Sequence, residues 1–210
     1  MNTGTRILLA GLLGAIAMFA WTFVAHTLLP LGEAGVKNTV NDEGLLTELK
    51  STVKNKEGLY IYPTMGLAPD ATHAEQSAAM EKYAQKLEKN PSGFFIFHPA
   101  GSRPMNMGKF LTIEFITELC EAILVVWLLA QTRIVTFGGR LGFVIAAGIM
   151  AAIATNVSYW NWYGFPGNFT VAQIADRTIG FLLAGLAMAA IVNPAKVPNA
   201  PAAPANPSAA

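Results

Sequence analysis

Glu114, Glu118 and Glu121 lie within an otherwise apolar stretch, residues 110–130. At about 100° per residue they share roughly a 60° arc of a helix, with Thr117 on the same side. Ile116, Leu119 and Ile123 take the opposite side. A carboxylate in hydrocarbon is costly unless it is paired, protonated or hydrated. Three on one helix therefore imply a polar site or a buried network. Their helix should turn its acids toward protein and its aliphatic residues toward lipid. Carboxylates so placed can carry protons, hold a cation, or serve as acid and base.

Other stretches supply partners. His26 and Thr22 are one turn apart near the end of the first apolar run, and Asn156 ends the third. Gln173, Asp176, Arg177 and Gly180 share one face of the fourth. Rise per residue puts Glu114 at about 8 Å, Glu118 at about 13 Å and Glu121 at about 18 Å from one membrane surface. Asp176 and Arg177 fall at about 9–10 Å and His26 at about 6 Å from the same surface. Four helices thus offer polar groups to one half of a bundle, and Arg177 is the expected partner of Glu118 or Glu114. A metal would draw on His26, Glu114 and Glu118, with His98 as a fourth ligand. No His-Glu-x-x-His or Glu-x-x-His spacing occurs on a span. No metal or cofactor is expected.

The elements that must hold these groups are apolar helices. Of 210 residues, 53% are hydrophobic and only 13% charged, against about 25% in soluble domains. Spans are expected at 7–31, 110–130, 141–157 and 170–192, each able to cross about 30 Å of hydrocarbon. The first run is read as an uncleaved anchor, because small residues do not occupy both positions needed for signal cleavage. The net charge of +1 gives no reason to expect nucleic acid. Cys120 is the sole cysteine, so no disulfide forms within the chain.

Arg6, Arg133, Arg140 and Lys196 flank one side, whereas the link 158–169 has no Lys or Arg. The positive-inside rule then puts both termini in the cytoplasm and residues 32–108 outside. That segment carries eight Lys/Arg and nine Asp/Glu, and long loops translocate largely regardless of charge. The small-residue pairs Gly142/Ala146, Ala147/Ala151, Gly148/Ala152, Gly180/Ala184 and Gly185/Ala189 favour close packing within the bundle.

Residues 32–108 form a mixed insertion. Asn41 and Asp42 can cap a helix through Leu45, Leu46, Leu49 and Val53. A short strand follows at 58–62, a helix at 74–89, and a second strand at 93–97. If these strands are parallel neighbours, the helix between them is a right-handed crossover. Tyr60, Tyr62, Phe94, Phe95 and Phe97 need cover, from that helix or from the membrane end of the bundle.

Tyr159, Trp160, Trp162, Tyr163 and Phe165 crowd the link between the last two spans. An aromatic belt is the plain reading, and a lid or docking surface over the polar site the functional one. Pro166-Gly167 fits a type II turn. Residues 193–210 are Pro/Ala-rich and cannot bury a core, so a disordered tail is expected. The aromatic run from Tyr159 to Pro166, with the strand from Phe94 to Pro99, resembles an uncharacterised family of small bacterial four-span inner-membrane proteins. That resemblance implies a long periplasmic loop and no known activity.

The expected fold is mainly α: an integral membrane four-helix bundle with a small extramembrane α/β insertion between helices 1 and 2. The expected role is a non-enzymatic binding or accessory subunit of the bacterial inner membrane. Its partners would be the bilayer and a homo-oligomer or larger membrane complex. A solute- or proton-coupled transport component is the alternative, and a membrane enzyme with a His/Glu site the second.

Overall fold

A computed structural model describes residues 2–192; the expected tail, 193–210, lies outside them. The elements in chain order are α1 (Thr3–Phe23), a π turn (Val24–Leu28), α2 (Asp42–Thr52), β1 (Gly58–Tyr62) and α3 (His73–Lys89). Then come β2 (Gly93–Phe97), α4 (Met107–Ala130), α5 (Phe137–Tyr163) and α6 (Gly167–Ile191). The described residues form two compact units, one of 2–37 with 106–192, the other of Asn38–Met105.

The first unit is a helical bundle. Its helices start where side chains can cap them: Asn2, Asn106 and Thr136 each accept a backbone N–H of the first turn. α1 packs against both α4 and α6, α6 packs against α5, and α4 touches α5 lightly. Contacts run antiparallel. Phe19 meets Phe115 edge-on at 5.5 Å, and Gly11 lies against Ile123. Gly14 lies under Met188, and Gly148 under Phe181. A side chain at either glycine would overlap its neighbour, so these glycines set how closely the helices cross. Gly148, Ala152, Gly180, Ala184, Gly185 and Ala189 are all buried, whereas Gly142 and Ala146 are exposed. The pairs therefore divide, with most serving the bundle itself.

Among the described residues three helices are long and apolar enough to cross a membrane: Thr3–Leu28, Phe137–Tyr163 and Gly167–Ile191. The sequence reading expected four. α4 has 24 residues but carries Lys109, Glu114, Glu118 and Glu121, and that charge load separates it from the other three.

The link between α5 and α6 also differs from expectation in two respects. α5 continues through Tyr163 because nothing in residues 158–163 breaks a helix. It stops at Gly164, whose φ of 68° suits a residue without a Cβ. Gly167 begins α6 and is not in the left-handed region, so Pro166-Gly167 makes no type II turn. Pro166 instead precedes the first helical residue, with an extended ψ of 139°.

The second unit holds α2, α3 and a hairpin-like sheet. Asn41 caps α2 by accepting the Gly44 N–H at 3.0 Å. Thr72 and Glu75 form a capping box at α3. The Glu75 carboxylate accepts from the Thr72 hydroxyl at 2.7 Å and the Thr72 N–H at 2.8 Å. Those bonds hold its carboxyl below the usual range. β1 and β2 pair antiparallel, from Gly58 opposite Phe97 to Tyr62 opposite Gly93. The parallel crossover is thus excluded: α3 returns the chain so that β2 runs back along β1. Tyr60 stacks on Phe95 at 5.3 Å and Tyr62 leans on the same ring. The aromatics cover one another on that face, while Leu59, Ile61 and Ile96 on the other are more than half exposed.

Candidate functional site

Within the bundle, α1, α4 and α6 surround a cleft of about 120 Å³. α1 and its π turn contribute Met18, Trp21, Thr22 and His26. α4 contributes Glu114 and Glu118, and α6 contributes Gln173, Asp176, Arg177 and Gly180. Each set recurs at helical spacing, so one face of each helix turns to the cleft. The antiparallel packing brings the C-terminal end of α1 level with the N-terminal halves of α4 and α6.

Glu118 is the deepest charge, only 1% exposed. The Thr22 hydroxyl donates to its Oε1 at 2.7 Å. Its Oε2 is buried and has no hydrogen-bond partner among the described residues. Asp176 Oδ1 is in the same condition. The backbone carbonyl of Asp176 accepts the Trp21 indole N–H at 3.0 Å, which ties α1 to α6 at the cleft wall. A buried acceptor without a donor costs about 1–3 kcal/mol. Two such oxygens lie on residues that line one cleft.

Arg177 does not pair with Glu118 or Glu114. It donates from Nη1 to Glu121 Oε2 at 3.0 Å, with both side chains about one-third exposed at 34% and 33%. Such a half-solvated pair contributes little to stability. The cleft is therefore lined by the three carboxyl groups of Glu114, Glu118 and Asp176, and its one guanidinium is already engaged.

His26 sits in the π turn, where Leu29 N–H donates to the Val24 carbonyl at 3.0 Å. Its Nδ1 is 3.0 Å from the Thr22 carbonyl. A carbonyl only accepts, so Nδ1 carries the proton and Nε2 is the second, variable site. Gly32 packs against this ring, where a Cβ would lie 2.6 Å from Cδ2.

Three expected features fall elsewhere. Thr117 is exposed and donates to Ile113 of its own helix. Asn156 likewise bonds to Ala152, so three helices rather than four supply the cleft. On α4, Leu119 packs on the core and Ile123 against Gly11, so of the three residues expected to face lipid only Ile116 is largely exposed. Trp21 and Met18 escaped the sequence reading, although they share the helical face of Thr22.

None of Tyr159, Trp160, Trp162, Tyr163 or Phe165 lines the cleft. Tyr159 stacks on Phe165 at 5.3 Å and meets Tyr163 edge-on, while Phe165 leans on Phe169. Trp160 and Trp162 are exposed. His98 belongs to the second unit, where its Nδ1 is 2.8 Å from Glu57. Arg103 donates to its Nε2 at 3.3 Å. Among the described residues no three His, Cys, Asp or Glu side chains are arranged as metal ligands.

Comparison with family models, with curated proteins and with solved structures finds no match. Function must then be argued from the cleft.

Proposed function

We propose that this is a polytopic membrane protein that acts by binding, as a non-enzymatic ligand-holding or accessory subunit, and that the cleft is its site. One observation carries this reading: two buried carboxylate oxygens, on Glu118 and Asp176, lie without donors on residues lining a single cleft. A network kept only to hold helices together would satisfy its members. α4 would cross the bilayer as a fourth span. Its acids support this, since Glu118 is bonded by α1 and Glu121 by α6 rather than left to lipid. Charge asymmetry favours cytoplasmic termini and a periplasmic second unit in a bacterial inner membrane. Single cysteines at residues 5 and 75, placed in a Cys120→Ser background, test that orientation by labelling from each side.

The test of the binding reading is native mass spectrometry after gentle extraction from the native membrane. Wild type should carry a ligand or subunit that Glu118→Gln lacks. Bare protein in both samples would sink the reading. A transport role is the second reading, favoured by carboxylates on a helix facing both α1 and α6. Equal flux through wild-type and Glu118→Gln proteoliposomes would exclude it.

A further inference from the structure

The geometry points to a primary ammonium group as what the cleft binds, either a free small amine or the amine head of a lipid. This rests on the reading of the cleft as a binding site and goes on to name its ligand chemistry. Four features of the cleft converge on it.

First, the unmet need is for hydrogen-bond donors. Glu118 Oε2 and Asp176 Oδ1 are acceptors without partners, and Glu118 is 1% exposed. An ammonium has three N–H donors and no acceptor, which matches a cleft whose unpartnered buried atoms are acceptors.

Second, the charge is right. Glu114, Glu118 and Asp176 line the space, while Arg177 is held by Glu121. A cation is favoured there, and an anion would meet like charge.

Third, a bare metal ion fits less well. Such ions need several oxygen or nitrogen ligands at once, and no three side chains of the required kind are so arranged among the described residues.

Fourth, the size and walls suit a short carbon stem. The cavity, about 120 Å³, has room for several waters and so for a small organic cation. Met18 and Trp21 add apolar surface to a lining that is otherwise mostly polar. Both a free amine in solution and a phosphatidylethanolamine head would present this chemistry.

Full-length protein in detergent is titrated calorimetrically with ethylammonium chloride and, in parallel, with tetramethylammonium chloride, which has the charge but no N–H. Saturable binding of ethylammonium is expected, with tetramethylammonium at least tenfold weaker. Glu118→Gln should weaken ethylammonium binding at least tenfold. The glutamine keeps a carbonyl for Thr22 but turns the unpartnered oxygen into a donor. Asp176→Asn serves as the second variant, with size-exclusion and circular dichroism checking that each folds. Native mass spectrometry from nanodiscs of mixed phosphatidylethanolamine and phosphatidylcholine separates the sources. Retained phosphatidylethanolamine assigns a lipid head, and ethylammonium binding without it assigns a free amine.

Three results overturn the inference: no ethylammonium or phosphatidylethanolamine binding, equal binding of tetramethylammonium, or full binding by both variants. If native-membrane protein still carries some other mass that Glu118→Gln loses, the ammonium inference alone has failed. If it carries nothing, the binding reading fails with it.

Discussion

The two ends of the bundle each bury a charged side chain, and they treat it oppositely. At one end Arg140 is 7% exposed, and its Nε donates to the Ala189 carbonyl at 3.0 Å while Nη1 donates to Val135 at 2.6 Å. The Ala189 carbonyl lies in the last turn of α6, where main-chain carbonyls lack helical partners and the helix dipole favours a cation, and the Val135 carbonyl lies in the link just before α5. At the other end Glu118 has one oxygen bonded and one bare. The arginine does a joining task that is complete within the chain. The glutamate is left incomplete, and incompleteness at a cleft is what suggests a ligand. Burial of charge alone does not mark a site; the unsatisfied remainder does.

Substitutions can separate the two ends. Arg140→Leu should have the largest effect on stability. It strands two carbonyls, a loss of about 3–6 kcal/mol from two charge-assisted bonds. Thermal or denaturant unfolding should show this, while ligand retained at the cleft stays near the wild-type level in the folded fraction. Glu118→Gln should do the reverse. Stability should hold or rise, because a buried acid with an unmet oxygen becomes neutral, while retained ligand falls at least tenfold. If Glu118→Gln unfolds the protein as Arg140→Leu does, the contrast collapses and Glu118 is a joining residue too.

Thr22→Val should sit between them. It removes the donor to Glu118 Oε1, costs about 1–3 kcal/mol by leaving both oxygens bare, and weakens binding through the displaced carboxylate. Equal melting temperatures for Thr22→Val and wild type would argue that the bond is not formed in solution.

The smallest effect lies in the second unit. Glu75 has a folded-state carboxyl held down by Thr72. Its contribution is therefore present above the ordinary glutamate range and lost as pH falls through the lowered value. Amide protection factors in the first turn of α3, taken relative to the intrinsic exchange rate at each pH, should fall on acidification, and Glu75→Gln should remove that dependence.

Much of the bundle was legible in the sequence. Apolar runs located the helices, and Asn41 with Asp42 marked the start of α2. Rise per residue brought His26, Glu118 and Asp176 into the same half of the bundle. Rotation and reach were less legible. Arg177 went to Glu121, the glutamate expected farthest from it in depth, because a long side chain can reach past a turn of helix and depth alone does not choose its partner. Trp21 binds a backbone carbonyl, a contact that no pattern of side-chain types reports. A helix between two strands left a parallel crossover open, yet the register runs antiparallel. The aromatic run 158–163 was read as a link from its composition, although only Gly164 had the backbone freedom to end the helix.

The π turn at Val24–Leu28 bears on how this chain tolerates length changes. A π turn is an α-helix widened at one place, and it leaves the helix one residue longer than the regular path needs. Deleting one residue from 24–28 would let the α-helix close while what lies beyond it keeps its facing, whereas the same deletion in a regular turn would rotate the rest by roughly 100°. A deletion after His26 would leave its place in the chain intact but remove the wide turn that seats its ring on the Thr22 carbonyl. Among single-residue deletions in the spans, those few positions are where the fold should survive and the cleft should not.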